Sequence, residues 1–240
     1  MYSKFRLNWE NIDINVKLDS WMEQLRITND YKKKQREYES NQKEHNDKLQ
    51  KYFQNNTDEW LNAENIQHDW FPLNHSQIFI SHSHKDLETA LKIKYLIETV
   101  FNIKVFVDYT DWGNVINLLQ QLKWEFSGVS ESNSNAAICA YIMLAEALVK
   151  MLDKCECIFF LHTNNSVTED QHEIPFTSST WIHHELFAAK YLRVQPPFEQ
   201  RKLIQESWKQ IKYPIHSYLK DFIDLSINEF HDWVIKGKSC

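Results

Sequence analysis

Residues 78–87, with the sequence IFISHSHKDL, join a short apolar run to a polar loop and the start of a helical pattern. Residues 78–81 have the length and the β-branched content of a strand that is buried on both faces. Ser83 or Asp86 can cap the helix that follows, because the next apolar residues recur three or four positions apart. A strand, a loop and a helix in this order form the unit from which parallel sheets are built. The stretch therefore predicts an α/β domain.

The same alternation of strand and helix continues along the chain. The further predicted elements are a strand at 103–108, a helix at 136–152, a strand at 157–162 and a helix at 180–192. Strands that alternate with helices predict a parallel sheet covered by helices on both faces. Ligands of such sheets bind outside the carboxyl ends of the strands. The loops after Ile80, Asp108 and His162 are therefore expected to hold the functional residues.

The first 72 residues differ in composition from the rest and predict a mainly helical N-terminal extension. Their tract 29–54 is polar, contains neither Gly nor Pro, and places its larger side chains seven residues apart. These side chains are Tyr31, Tyr38, His45 and Tyr52. They fit either a helix that packs along its own domain or a self-association arm.

Pro72 marks the predicted start of the α/β domain, which is expected to span residues 75–200. Residues 201–240 are expected to form the C-terminal helical part of the same domain, with a helix near 216–235. No fourth strand is evident after residue 192.

Composition excludes several classes of function. With 33 acidic and 27 basic residues the chain is not expected to bind nucleic acid, which requires many phosphate-neutralising cations. It shows no N-terminal signal segment and no evident membrane-spanning run, so a cytoplasmic protein without a membrane partner is expected. Only three glycines are present, which excludes the glycine-rich loops of dinucleotide and P-loop sites. Cys155 and Cys157 are expected to be reduced core cysteines rather than metal ligands.

Residues 82–87, HSHKDL, are close to the HxHxDH loop of binuclear-zinc hydrolases. In that interpretation His82, His84 and Asp86 would be metal ligands, and a β-sandwich would surround them. Leu87 stands where the loop requires its last His. A metal-dependent hydrolase is therefore the less favoured alternative, and no metal is expected.

Four short blocks, in order along residues 75–195, resemble Toll/interleukin-1 receptor (TIR) domains. IFISHSHKDL at 78–87 resembles their first strand and loop, and VFVD at 105–108 resembles their second strand. The predicted helix at 136–152, leading into CECIFFLHTNNS at 155–166, resembles their third helix–strand pair. STWIHHEL at 179–186 resembles the S-x-W-x-x-x-E-L signature of NAD-cleaving TIR domains, especially those of prokaryotic defence proteins.

The resemblance implies a flavodoxin-like parallel sheet flanked by helices, and NAD+ as the substrate without a separate cofactor. The implied reaction breaks the nicotinamide–ribose bond, by hydrolysis or cyclisation, in immune (anti-phage) signalling or NAD depletion. Glu185 is the implied catalytic residue. The implied substrate-binding residues are Trp181, Ser81, His82, Ser83 and Asp108. A homo-oligomer built through TIR–TIR contacts is also implied, and a non-catalytic TIR scaffold remains the alternative.

The spacing of Trp181 and Glu185 agrees with such chemistry, because residues four apart share one face of a helix. Nicotinamide leaves NAD+ as a neutral molecule, so no general acid is required, unlike in ordinary glycosides. A single carboxylate near the developing oxocarbenium ion can stabilise the transition state. From spacing alone, however, a solvated surface Glu and a core Trp are the favoured interpretation, and the resemblance reverses this preference. His183 and His184 are expected at the surface.

Overall fold

The computed structural model has an α/β fold with a central five-stranded sheet in which every strand is parallel to its neighbours. It describes residues 3–9, 14–55, 62–112, 115–125, 132–169, 175–192 and 213–237. Helices cover both faces of the sheet. The predicted fold class, a flavodoxin-like parallel sheet flanked by helices, is confirmed.

The central sheet has the strand order β3-β2-β4-β1-β8. Its strands are β1 (Ser3–Asn8), β2 (Ile78–Ser81), β3 (Val105–Phe106), β4 (Cys157–His162) and β8 (Ile223–Asp224). A small antiparallel sheet contains β5 (Thr168–Glu169), β6 (Pro175–Thr177) and β7 (Tyr213–Pro214). The helices are α1 (Ile14–Gln24), α2 (Thr28–Asn55), α3 (Ala63–Trp70), α4 (Leu87–Phe101), α5 (Asp108–Asp111), α6 (Val115–Glu125), α7 (Ser132–Lys154), α8 (Thr180–Tyr191), α9 (His216–Leu219) and α10 (Ile227–Gly237).

The strands predicted from apolar runs lie where the sequence places them. All four residues of β2 are buried, and β4 has the bounds that its apolar run predicts. β3 is shorter than the predicted strand at 103–108. It ends early because Asp111 accepts a hydrogen bond from the backbone nitrogen of Val107, at 3.1 Å, as the chain turns into α5.

The helical N-terminal extension predicted for residues 1–72 is not confirmed as a separate segment, because β1 is an internal strand of the sheet. β1 pairs with β4 along six residues and with β8 on its other side. In the flavodoxin-like order 2-1-3-4-5, β1 takes the fourth place. The sequence shows no strand directly after residue 192 that could take this fourth place. β1, from the start of the chain, takes it instead.

The C-terminal region also differs from the prediction. β8 interrupts the helix expected near 216–235 and leaves the short α9 and the longer α10. It joins the edge of the sheet beside β1, where Arg6 and Asp224 form an ion pair. The second guanidinium contact of this pair is 2.7 Å long.

Two clusters of buried side chains lie on opposite faces of the sheet. Phe159 and Leu161 of β4 pack with α1, α4 and α10, whereas Ile158 and Phe160 pack with α6, α7 and α8. The alternation follows from the two-residue period of a strand. Helices on both faces explain why β2 and β4 are apolar without interruption.

α2 packs along its own domain in its first half. Tyr31 and Tyr38 are buried, and the Tyr31 ring lies 5.2 Å from the ring of Tyr95 on α4. Lys94 of α4 lies 5.7 Å from the centre of the Tyr38 ring. These two of the four larger side chains in the tract 29–54 therefore pack against other parts of the same chain.

α7 includes the segment Asn135–Lys154, which is long and apolar enough to cross a membrane by length and composition alone. The sequence analysis expected no such run, and no other helix among the described residues meets the same criterion. Within its most apolar window, 39% is buried in the domain, and α7 packs against α6 and α8. A helix of a protein core has the same composition, so the segment is weak evidence for a membrane span.

Candidate active site

The candidate site lies at the carboxyl ends of β2 and β3, against α6, α7 and α8. It adjoins the switch point at β2, where the strand order reverses because β3 lies on one side of β2 and β4 on the other. Parallel sheets bind ligands outside the carboxyl ends of their strands, where the connecting loops form a crevice. Ser81 is the last residue of β2, and Asp108 begins the helical turn just after β3.

α8 brings Glu185 to this crevice. Its N-cap is Ser179, whose side chain accepts a hydrogen bond from the backbone nitrogen of Ile182 at 3.2 Å. This cap fixes the first turn of the helix, and Glu185 follows one turn after Trp181. The hydroxyl of Ser81 donates a hydrogen bond of 2.6 Å to Oε2 of Glu185.

Glu185 is a buried carboxyl group with 7% of its surface exposed. Burial raises its pKa from the ordinary value of 4.5 to about 8, because a carboxylate loses solvation inside the protein. The hydrogen bond from Ser81 acts in the opposite direction, and the negative charge of Asp108 raises the pKa further. At neutral pH the carboxyl is therefore mostly protonated, and a nearby cation would favour its ionised form.

A cavity of about 170 Å³ opens beside Glu185. Aromatic side chains form much of its wall, and the Trp181 ring lies 5.6 Å from that of Tyr141 on α7. The lining includes Tyr109, Trp112, Tyr141 and Trp181 together with the carboxyl groups of Asp108 and Glu185. Aromatic walls beside two carboxyl groups suit a flat ring that carries a positive charge.

The remaining predicted site residues lie around this cavity without lining it. His82 lies behind Asp108, with 3.9 Å between its Nε2 and Oδ1 of the carboxylate. Its Nε2 is buried and makes no hydrogen bond within the described part of the chain. Ser83 caps the 3-10 turn at His84–Asp86, where its hydroxyl lies 3.4 Å from the backbone nitrogen of Lys85. The structure thus brings Glu185, Trp181 and Asp108 to the cavity, places Ser81 directly behind Glu185, and leaves Ser83 in the adjoining turn.

Asp86, a ligand in the metal-dependent alternative, has a structural role. Its carboxylate accepts hydrogen bonds from Oγ1 of Thr163 at 2.6 Å and from Nδ2 of Asn165 at 2.7 Å. These bonds connect the loops that follow β2 and β4. Within the described residues, no group of three or more His, Cys, Asp or Glu side chains could hold a metal ion. The surrounding fold is a parallel sheet rather than the β-sandwich that this alternative requires.

Several residues that line the cavity were not predicted from the sequence. Tyr109 and Trp112 follow Asp108 in the chain, so their place after a predicted strand was an available signal. Tyr141 belongs to α7, and only tertiary packing brings it to the cavity. His84 also lines the cavity, although it had been considered only as a metal ligand.

His183 and His184 were expected at the surface, but both are half-buried. Nε2 of His183 lies 3.3 Å from the hydroxyl of Tyr218 on α9, and burial lowers the pKa of His183. Nε2 of His184 lies 3.3 Å from the backbone oxygen of Ala145 on α7. The two rings are therefore engaged with neighbouring helices.

No family model, curated protein or solved structure matches this chain.

Proposed function

We propose that this chain is a TIR-like enzyme that cleaves the nicotinamide–ribose bond of NAD+. The observation that carries the proposal is the buried Glu185, which Ser81 holds beside Asp108 and an aromatic wall at the carboxyl ends of β2 and β3. A buried carboxyl group in a cavity is costly for folding, so its retention points to a functional role.

The proposed chemistry follows from the charge of the substrate. Nicotinamide is cationic while it is bound to ribose and neutral once it has left, so the positive charge moves to the ribose as the bond breaks. The carboxylate of Glu185 would stabilise this developing charge and accept a hydrogen bond from a ribose hydroxyl. Trp181 and Tyr141 would exclude water and stack on the ring. Attack of water then gives ADP-ribose and a proton, and attack by a nitrogen of the adenine gives a cyclic product.

The raised pKa of Glu185 is compatible with this role. Burial stabilises the neutral acid, but a positive nicotinamide ring would favour the carboxylate by direct attraction. The substrate would therefore generate the charged form of Glu185 as it binds. Asp108 supplies a second negative group at the same cavity.

The test is nicotinamide release from NAD+, followed by chromatography at several protein concentrations. Glu185→Gln keeps the shape of the side chain and removes its charge. We expect turnover to fall by about two to three orders of magnitude, the usual effect of losing one electrostatic contact to a transition state. Glu39→Gln, on the exposed side of α2, is the matched control and should keep full activity. Equal release by wild type and Glu185→Gln would remove Glu185 from the mechanism.

The proposed setting is the cytoplasm, with the enzyme acting in anti-phage immune signalling or NAD depletion, without a separate cofactor, nucleic acid or membrane partner. A homo-oligomer is part of the proposal. Ile116 on α6 and Ile138 and Ile142 on α7 are exposed apolar residues, and Ile116 also lines the cavity. An apolar surface of this kind suits protein contacts. The same surface would serve the alternative function, a non-catalytic TIR scaffold, which predicts no nicotinamide release by any variant.

A further inference from the structure

The charges that line the cavity are unusual for a site that takes a dinucleotide. Asp108 and Glu185 are acidic, and among the described residues that line the cavity there is neither Lys nor Arg. Proteins hold phosphate groups through Lys, Arg or glycine-rich backbone loops. The described residues of the cavity wall offer no such basic side chain.

The size of the cavity limits what can enter. Its volume is about 170 Å³. Pockets that enclose a drug-sized ligand usually measure roughly 300–1,000 Å³. One ring with part of a sugar fits the smaller space, whereas a whole dinucleotide does not. The pyrophosphate and the second nucleoside must therefore lie outside the enclosed part.

We infer that the cavity recognises an N-ribosylated pyridinium cation alone, so that nicotinamide riboside, without any phosphate, is a sufficient ligand and substrate. The inference rests on the proposed function and specifies its substrate class. Trp181 and Tyr141 contact the flat ring, and the acidic pair selects its positive charge. The phosphates and the adenosine of NAD+ add no contact on which binding depends.

Binding of this cation is coupled to the release of a proton from Glu185. Ionisable and hydrogen-bonding groups near Glu185 come from several elements: Ser81 of β2, His84 of the 3-10 turn, Asp108 and Tyr109 of α5, Tyr141 of α7, and His82 behind Asp108. Ser81 donates the hydrogen bond, and Asp108 is the acidic neighbour that opposes ionisation of Glu185. A pyridinium ring in the cavity offsets this repulsion and draws the carboxyl into its charged form. One proton should leave Glu185 as the cation enters.

Titration calorimetry of the full chain at pH 7, in two buffers with different heats of ionisation, tests the coupling. With its pKa at about 8, Glu185 is about nine-tenths protonated at this pH, so nicotinamide riboside should release close to one proton. Free nicotinamide, which is neutral, is the matched ligand and should release none. In Glu185→Gln the proton release should vanish, and binding of the riboside should weaken by about tenfold or more. Glu39→Gln should behave like the wild type. Riboside binding without proton release would overturn the inference.

Turnover provides the second readout. The kcat/KM for nicotinamide riboside should lie within about tenfold of that for NAD+, since phosphate contacts are not required. Nicotinic acid riboside places a carboxylate beside the acidic pair and should be at least about tenfold poorer. Cleavage of NAD+ without binding or cleavage of the riboside would overturn the inference and leave the proposed function intact. Riboside binding with proton release, but no cleavage of either compound, would support the inference on recognition and contradict the proposed chemistry. If the protein neither binds nor cleaves either compound, both the inference and the proposed function would be overturned.

Discussion

Replacing Glu185 by Gln should stabilise the protein at neutral and alkaline pH while it lowers the turnover of NAD+. The folded state holds this carboxyl with a pKa of about 8, against an ordinary value of 4.5. Between these two values the unfolded chain releases a proton that the folded chain retains. The protonated carboxyl therefore contributes its full stability below about pH 4.5, and this contribution is lost as the pH rises through 8. Gln does not ionise, and its side-chain oxygen can still accept the hydrogen bond from Ser81.

The size of this change in the free energy of unfolding follows from the pKa shift of Glu185. One pKa unit corresponds to about 1.4 kcal/mol, so the rise from 4.5 to about 8 sets an upper limit of roughly 5 kcal/mol, of which roughly 3 kcal/mol applies at pH 7. Such a difference is a large fraction of the stability of a typical domain. The gain of the variant should be close to zero at pH 4.5, should grow with pH, and should level off above pH 8.

Urea denaturation of wild type and Glu185→Gln at pH 5, 6, 7 and 8 measures this difference. Glu39→Gln, which changes an exposed residue of α2, is the matched control and should show no growing difference from the wild type. A gain in stability together with a loss of turnover would identify a group that is retained for function against the demands of folding. If the two proteins have the same free energy of unfolding at pH 8, then Glu185 ionises freely in the folded state. Burial would then not raise the pKa of this carboxyl group.

Three further predictions concern the site and the sheet. In the wild type, kcat/KM for nicotinamide release should rise about tenfold per pH unit to a midpoint near pH 8. Ser81→Ala removes the hydrogen bond that lowers the pKa of Glu185, so this midpoint should shift to higher pH. An unchanged midpoint would contradict the pairing of the two side chains. Trp181→Ala should reduce turnover and cost about 2 kcal/mol in urea denaturation, since the half-buried indole packs on the core. Deletion of residues 1–9 removes an internal strand and should abolish cooperative thermal unfolding followed by circular dichroism; a folded truncated protein would contradict the placement of β1.

The elements that could be predicted from the sequence are those whose signal is local. β2 and β4 are uninterrupted apolar runs, and α8 has a capping Ser and apolar positions at helical spacing. β1 carries a different local signal, the alternation of Phe5, Leu7 and Trp9 with polar residues, which was not recognised in the sequence. β8 has only two residues and carries no such signal. The places of both strands in the sheet depend on pairing with strands that are distant in the chain, and a single sequence does not reveal such pairing.

The candidate site shows the same division. Glu185 and Trp181 could be singled out because the short motif at 179–186 is a local property, although their spacing alone favours a surface Glu and a core Trp. Ser81 and Asp108 could be predicted because the ends of parallel strands meet at one edge. Tyr141 could not be predicted, since α7 reaches the cavity only through its packing against α6 and α8. The burial of Glu185, which raises its pKa, is likewise a tertiary effect.

The N-terminal strand links the folding of the sheet to the candidate site. The switch point needs only the order β3-β2-β4, and this order is the same wherever the strand beyond β4 comes from. β1 is nevertheless required to cover the open edge of β4, with which it pairs from Ser3 to Asn8. Phe5 of β1 also packs edge-on against Phe159 of β4, at 5.4 Å between the rings. β1 thus supports β4 on the side opposite β2, and Asp86 holds the loop after β4 to the loop after β2.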